Sequence, residues 1–501
     1  MNSMIKRNPF SNKLQIPKSR VELLASALGH SVFGMDDAAT ALPHLVNPEN
    51  LNEIWLAIAI LAGTYPTAKQ VLEVYRQLEF DPSVLYRQIM ELATADSLNR
   101  PIKLVTDKVL IDVTHTASVT FTSGIQRVVR ECVQQWENKP DVLFVSWFSS
   151  NPEIGYDALR TLTPTETARL PHGLDDYTVT DAEFTAEVVI PVNCRYFIPE
   201  LAADESRPPR IQALAEFTSN AVGVIGHDLI PLTSGETTLT PWVPGNFAIL
   251  MSALRYAKLI VTTSKMGSEI EYAGWKQMLA AIGIEGPVIE TVPLTVSTKP
   301  VSETSLANIR KLLTIPGLPT VLVVGSREPR KNHLAVLFAA EVLWREGLQF
   351  NLVFIGGNSW NSTEFENYAA KLAGENYPIT IIRKASDDLL WSAYRLADFS
   401  IFPSLNEGFG LPVGESLAVG TPVITSNFGS MAEIAAGGGA LVIDPRDDNS
   451  LIEAMRLLLT DRDLLSELSQ AAAARHWPSW AQYADQVWEK IMQMPIPAIA
   501  L

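Results

Sequence analysis

Cysteine is nearly absent: Cys132 and Cys194 are the only two in 501 residues. Two thiols exclude a disulfide framework and any zinc site built on four thiolates, and they fit a reducing, cytoplasmic setting. Positive charge is also scarce, with 39 lysines and arginines against 55 aspartates and glutamates, a formal net charge of −16. That balance excludes a general nucleic-acid binder, which needs a basic face, but not a local basic pocket for a small anion. Long apolar runs are missing. The most apolar stretch, residues 54–63 (IWLAIAILAG), is about half of the ~20 residues a membrane-spanning helix needs. The opening MNSMIKRNPFSNKLQ lacks the apolar centre of a secretory signal. These absences predict a soluble, cytoplasmic protein with at most peripheral contact at the inner face of a membrane. Internal repeats and low-complexity tracts are missing too. What is plentiful is apolar residue, 47% of the chain, which excludes a mainly disordered polypeptide. The length predicts about three domains at roughly 150 residues each.

Residues 1–20 are polar and basic and predict a loose tail. Residues 21–95 show helical spacing, with Val21, Leu24 and Leu28 in one piece and Ile54, Ile58 and Leu61 in another. Val71, Val74 and Leu78, then Leu85, Ile89 and Leu92, continue it, with breaks expected at Pro43, Pro66 and Pro82 and a cap at Thr67. From about residue 105 short Val/Ile/Leu runs alternate with helical stretches. The runs fall at 108–113, 141–147, 187–192, 222–226, 259–263 and 288–292, and a second set at 320–324, 351–356, 379–382, 399–402, 422–425 and 440–443. Continuous apolar runs of this length predict buried parallel strands, hence two doubly wound α/β units. Residues 150–185 are irregular and receive no element, whereas 450–475 and 478–493 are predicted as two terminal helices.

Two segments concentrate the chemistry. In FSIFPSLNEGFGLPVGESLAVGTPVITS (399–426) a strand ends at Pro403-Ser404, and Glu407-Gly408-Phe409-Gly410-Leu411 leads into a helix. Glycines after a strand let backbone approach a ligand, and N–H groups at a helix start can hold phosphate. Glu407 and Glu415 can face one ligand, and carboxylates accept strongly from sugar hydroxyls. In TVLVVGSREPRKNHL (320–334) a strand runs into Gly325-Ser326 and is followed by Arg327, Arg330 and Lys331. Fixed positive charge at that place suits a diphosphate.

These two strings closely resemble the donor-site signature and phosphate loop of the retaining glycosyltransferases of family 4, and the EPRKN variant resembles that of O-antigen, mannosyl- or rhamnosyl-type members. The resemblance spans about residues 105–493 and is most specific in the second half. It implies a GT-B fold, two Rossmann-like domains facing a cleft, with residues 1–100 as a helical extension. Residues 101–300 would be the acceptor domain, 301–475 the nucleotide-sugar donor domain, and 476–501 a helix crossing back. It implies that Glu407 and the stretch Gly408, Phe409, Gly410 and Leu411 contact the donor sugar and that Glu415 holds the ribose. Lys331 would serve the phosphates; many members carry a second cation directly after the loop glycine, where this chain has Ser326, and Arg330, beside Lys331 as in the EPRKN variant, is preferred to Arg327 for that role. Ser326 and Lys384 are counted with the nucleotide site. In the first half, TSGIQRVVR (122–130) brings Gly124 to the donor phosphates and Arg127 to the acceptor side. VIGHDLIP (224–231) puts His227 near the reacting sugar with Asp228 beside it, and YFIPE (196–200) offers Glu200 to the acceptor.

The expectation is therefore a retaining glycosyltransferase that moves a sugar from a nucleotide-diphospho-sugar to a glycan or lipid-linked acceptor, in surface polysaccharide synthesis, without metal or other cofactor. Asp461-Arg462-Asp463 has the spacing of an acidic metal motif, but a helix start is the simpler reason for it, and His476 beside Trp477 is expected to pack. The alternatives are a GT-B sugar-nucleotide epimerase and a non-catalytic sugar-nucleotide- or glycan-binding module. Residues 21–95 are expected to pack on the first Rossmann-like unit or on a protein partner or oligomer, with Trp55 and Leu56 as candidates for that contact, and a chain starting near residue 101 is expected to keep its donor site.

Overall fold

The computed structural model describes residues 14–31, 37–119, 123–149, 155–171, 186–237, 242–357 and 359–498. Residues 1–13 of the expected tail, and 150–154 and 172–185 of the unassigned stretch, lie outside them. The chain forms two compact units, residues 1–224, 249–259 and 491–501, and residues 225–248 and 260–490. No described helix is long and apolar enough to cross a membrane.

In the first unit, strands β1 (Ile102–Thr106), β2 (Val109–Asp112), β3 (Val142–Phe148), β4 (Ala158–Thr161), β5 (Val188–Val192), β6 (Arg195–Ile198) and β7 (Ala221–Gly226) alternate with helices. Within this unit the sheet order is β4-β3-β2-β6-β7, parallel except for the antiparallel edge β4, while β1 and β5 pair separately in parallel. β1, β4 and β6 carry no sequence assignment: β1 and β6 are short and stand directly beside other apolar runs, and β4 is interrupted by Arg160.

The extension is built of helices Lys18–Ala27, Ala38–Leu45, Leu51–Ala62, Ala68–Leu78, Val84–Leu92 and Ala95–Asn99. Thr67 caps as expected, its hydroxyl accepting from Gln70 N at 3.3 Å while Gln70 Oε1 accepts from Thr67 N at 2.8 Å. Pro43 does not end the helix but sits inside Ala38–Leu45, since proline lacks only one amide donor. Helix Leu51–Ala62 ends at Gly63, whose φ of 73° favours glycine and whose added Cβ would stand 2.7 Å from Arg20 Nη1. The buried Arg20 guanidinium donates to the carbonyls of Leu61 at 3.0 Å and Arg100 at 2.8 Å, and to Ser97. It thereby satisfies carbonyls that the helix ends leave open. Burial lowers its pKa to about 10.

Tyr65 joins these helices to the sheet. Its hydroxyl donates to Val189 O of β5 at 2.5 Å, its N–H donates to Asp157 O at 2.7 Å, and its carbonyl accepts from Arg210 Nε at 3.0 Å. Its ring packs edge-on against Trp55 (5.3 Å between centroids) and Trp147 of β3 (5.0 Å). Trp55 and Leu56 are wholly buried, and Trp55 reaches β3 through Tyr65 and Trp147, so of the two contacts expected for this helix it is the one inside the chain that is seen: an apolar helix in the middle of a helical layer is covered on all sides.

In the second unit, β8 (Leu259–Thr262) and β9 (Val288–Thr291) precede β10 (Thr320–Val324), β11 (Asn351–Ile355), β12 (Ile379–Ile382), β13 (Phe399–Phe402), β14 (Val423–Ser426) and β15 (Ala440–Ile443). The six-stranded sheet is all parallel in the order β12-β11-β10-β13-β14-β15. Numbered from β10 this is the 3-2-1-4-5-6 arrangement of a dinucleotide fold, whose switch point lies between β10 and β13. The stretch 450–475 is two helices, Asp448–Thr460 and Arg462–Ala473, because Asp461 ends one and caps the next, accepting from Leu464 N at 2.9 Å.

Trp55→Ala is expected to cost about 3–5 kcal/mol of stability, measured by urea unfolding. A chain starting at residue 101 is expected to yield no folded first unit, since it exposes Trp147 and the β5 carbonyl that Tyr65 covers. A truncation with native near-ultraviolet dichroism would refute this.

Candidate active site

The loops leaving β10 and β13 at the switch point hold the sharpest sequence strings. After β10 the chain turns at Gly325 and makes a single tight turn, Pro329–Lys331. Gly325 lies against Gly356 at the end of β11. A Cβ on Gly356 would stand 1.9 Å from Gly325 O, so the two glycines let adjacent strand ends touch. After β13 the chain runs through Ser404 to Gly410, whose φ of 97° opens helix Leu411–Ala418.

One carboxylate ties the two loops. Glu407 Oε1 lies 2.6 Å from Lys331 Nζ, 2.8 Å from Arg330 Nη1 and 2.6 Å from the donating Ser404 hydroxyl. Arg330 also donates to Asn406 O at 2.7 Å and to Glu328 Oε1 at 2.7 Å, while its own carbonyl accepts from Leu405 N at 2.8 Å. The side chains of Lys331 and Glu407 are only 11% and 10% exposed. Burial would raise the Glu407 pKa, but Lys331 and Arg330 outweigh it and hold it at about 2. Burial likewise disfavours the Arg330 cation, and Glu407 with Glu328 more than reverses this. Arg327 turns away from this group and pairs with Glu366 at 3.1 Å, so Arg330 is the arginine that shares a carboxylate with Lys331.

The same unit brings His227 and Asp228 to the loop. A Cβ on Gly408 would lie 2.3 Å from His227 O and 3.1 Å from Asp228 Oδ2. Gly408 O accepts from Ser264 Oγ at 3.0 Å. Asp228 Oδ1 accepts from Ile230 N at 3.0 Å, and Glu271 Oε2 accepts from Leu229 N at 3.2 Å. Burial raises the Asp228 pKa against the pull of Arg330. Burial and then the charge of Asp228 push Glu271 up to about 7.

Glu415 is buried within the helix and accepts from the Tyr394 hydroxyl at 2.9 Å. Phe409 on the loop and Leu411 at the helix start are half-buried, Ser326 follows Gly325, and Lys384 is exposed past β12. The structure thus assembles Glu407, Lys331, Arg330, Gly408, His227 and Asp228. Glu200, Gly124 and Arg127 stand in the first unit.

There, Gly124 opens helix Gly124–Trp136, with Ser123 N donating to Gln126 Oε1 at 3.2 Å, and Arg127 is half-buried on its first turn. Glu200 is engaged inside the protein, accepting from His115 N at 2.6 Å, Thr116 N at 2.8 Å and Thr116 Oγ1 at 2.8 Å, with Arg207 Nη1 at 3.5 Å. Burial and then Asp112 push its pKa up to about 7. Ser404, Glu328, Glu271 and Tyr394 carry no assignment from sequence. Ser404 stands three residues before Glu407, the spacing at which serine and glutamate side chains meet. Glu271 carries no local signal, because its neighbours come from distant chain segments.

With this geometry in view, the class is plain: the second unit is a parallel nucleotide-type fold with a cationic pair at its switch point. Residues 306–475 match the family described as "Glycosyl transferases group 1", and this part of the chain is a glycosyl transferases group 1 domain. Over 247 residues the chain is 29% identical to a D-inositol 3-phosphate glycosyltransferase of Corynebacterium urealyticum, covering 47% of this chain and 57% of that protein. It is 35% identical over 124 residues to the serotype-specific mannosyltransferase WbdA of Escherichia coli, covering 25% of this chain and 15% of that protein. The chain therefore spans little more than half the first relative and a small part of the second. Among solved structures, Anabaena Alr3699/HepE, crystallised with UDP and glucose, aligns with a TM-score of 0.52 at 12% identity over 77% of this chain and 99% of that one. Likeness of this kind fixes the fold as GT-B.

Glu407→Gln is expected to lower stability by about 2 kcal/mol at pH 7, because it leaves two buried cations short of a counter-charge. A carboxylate with a depressed native pKa stabilises above its unfolded value and loses that contribution as pH falls. The difference between wild type and variant should therefore shrink between pH 4.5 and about 2. Urea midpoints across that range check it; a gap that stays constant to pH 2 would contradict the ion-pair account.

Proposed function

We propose that the protein is a retaining glycosyltransferase. It takes a sugar from a nucleoside-diphospho-sugar to a hydroxyl of a glycan or lipid-linked acceptor, in the synthesis of a surface polysaccharide. The observation that carries this reading is the convergence of Lys331 and Arg330 on Glu407 at the mouth of the parallel sheet. The likeness to WbdA, named a serotype-specific mannosyltransferase, supports sugar transfer, and the UDP and glucose bound to the Anabaena protein support a nucleotide-sugar donor.

On this reading the donor diphosphate lies against Lys331, Arg330 and the amides opening helix Leu411–Ala418. Glu415, set by Tyr394, receives the ribose hydroxyls, and Glu407 the sugar hydroxyls. The bond from the anomeric carbon to the phosphate oxygen breaks as the acceptor oxygen attacks from the same face. The acceptor proton passes to the departing phosphate oxygen, so no protein base is required. The protein supplies position and charge. Two unit charges at 4 Å attract by about 4 kcal/mol at an effective dielectric of 20, so Lys331→Ala is expected to slow turnover by about 10²–10³.

The test is turnover of UDP-, GDP-, ADP- and dTDP-sugars with and without polysaccharide-type acceptors, with the anomeric product read by NMR. Acceptor-dependent transfer with retention is expected; epimerised nucleotide-sugar without acceptor would establish the epimerase reading instead. Activity is also expected to persist in EDTA, because the cation pair supplies the neutralising charge and Asp461 is spent on a helix cap. Complete loss restored by Mg²⁺ or Mn²⁺ would overturn that.

A further inference from the structure

His333 opens the thirteen-residue helix His333–Arg345, directly after Lys331 and Asn332. It is 5% exposed, and neither ring nitrogen has a hydrogen-bond partner among the described residues. The imidazole is wedged between Phe354 (5.7 Å between centroids) and Phe365 (5.9 Å). A leucine or phenylalanine would fill that slot without leaving buried polar atoms unsatisfied, a cost of about 1–3 kcal/mol per group. The fold by itself therefore gives no reason for histidine.

The ring is aimed at the phosphate loop. The point where Gly325 would carry a Cβ lies 3.6 Å from His333 Nε2 and 3.8 Å from Lys331 Cδ, so the space left by that glycine is bounded by imidazole and lysine. Lys331 and Arg327 are the cations bearing on the ring, Glu407 is the acid, and Glu366 pairs with Arg327. Burial, then those two cations, lower the His333 pKa to about 3, so the imidazole is neutral at ordinary pH and keeps one N–H to donate. The helix start it occupies favours negative charge.

We infer that His333 is a positioning residue of the donor site, giving its ring N–H to an oxygen of the nucleotide's diphosphate over Gly325 when Lys331 turns from Glu407 to the phosphates. The inference rests on the glycosyltransferase reading above. It has a signature that a packing role lacks: fold and ligand pull in opposite directions at this position. His333→Phe keeps the aromatic wedge and removes both orphaned nitrogens.

The experiment measures binding of UDP, GDP, ADP and dTDP by calorimetry, together with the thermal midpoint of the ligand-free protein. The wild type is expected to bind at least one of the four. His333→Phe is expected to bind that nucleotide at least tenfold more weakly while melting higher than wild type. Wild-type affinity in His333→Phe overturns the inference and leaves the glycosyltransferase reading standing. If wild type binds none of the four, both fall. Should His333→Phe not fold, imidazole ¹⁵N resonances of the wild type decide, assigned by their loss in His333→Gln. The His333 signals are expected to move on adding the nucleotide, and unmoved signals overturn the inference.

Discussion

The Glu407 carboxylate is the counter-ion on which the second unit's loops depend. Two cations and a serine hydroxyl reach the same oxygen, and the chain on either side is fixed in consequence. Arg330 lies over the β13 loop with Glu407 and Glu328 balancing its charge, and Leu405 N bonds back to the Arg330 carbonyl. Taking such charges out of water is costly, and the attraction offsets it only where geometry is good and remaining donors are used. Here Glu328, Asn406 O and Ser404 complete the set. In a chain of net charge −16, this group places two adjoining cations, Arg330 and Lys331, on one carboxylate.

The outline of both sheets was legible because parallel strands buried on two faces appear as unbroken apolar runs. All six strands of the β10–β15 sheet fall on runs visible in the sequence, and the loops between them carry the motif residues. What escaped follows from the same physics. β4 holds the charged Arg160, stabilised by Glu166 at 2.8 Å, a pairing no window of hydropathy reveals. Pro43 was expected to punctuate and sits inside a helix.

Within the candidate site, residue types in the two strings pointed to Glu407, Lys331 and Arg330, and the structure brings them within 2.8 Å. Glu200 shows the limit of that reasoning. The sequence places it after an apolar strand, where a ligand contact is expected, yet its oxygens accept from backbone amides of His115 and Thr116. Sequence shows that a carboxylate stands at a strand end; it does not show which nearby amides claim it. Glu271 was invisible for the opposite reason, since its importance arises only from Asp228 and Leu229, which are far from it along the chain.

The contact of Gly408 with the His227 carbonyl bears on how this protein can change over evolutionary time. A side chain at 408 is admissible only if the backbone at 227 retreats, and that backbone is fixed by the strand it leaves. A side chain at 408 is therefore expected to require a compensating change around 227. Recombination that exchanges residues 301–475 alone for those of a distant relative would separate partners whose fit is at the scale of a single hydrogen atom. Viable chimeras should have their crossover before residue 225, so that the His227 turn travels with the glutamate loop.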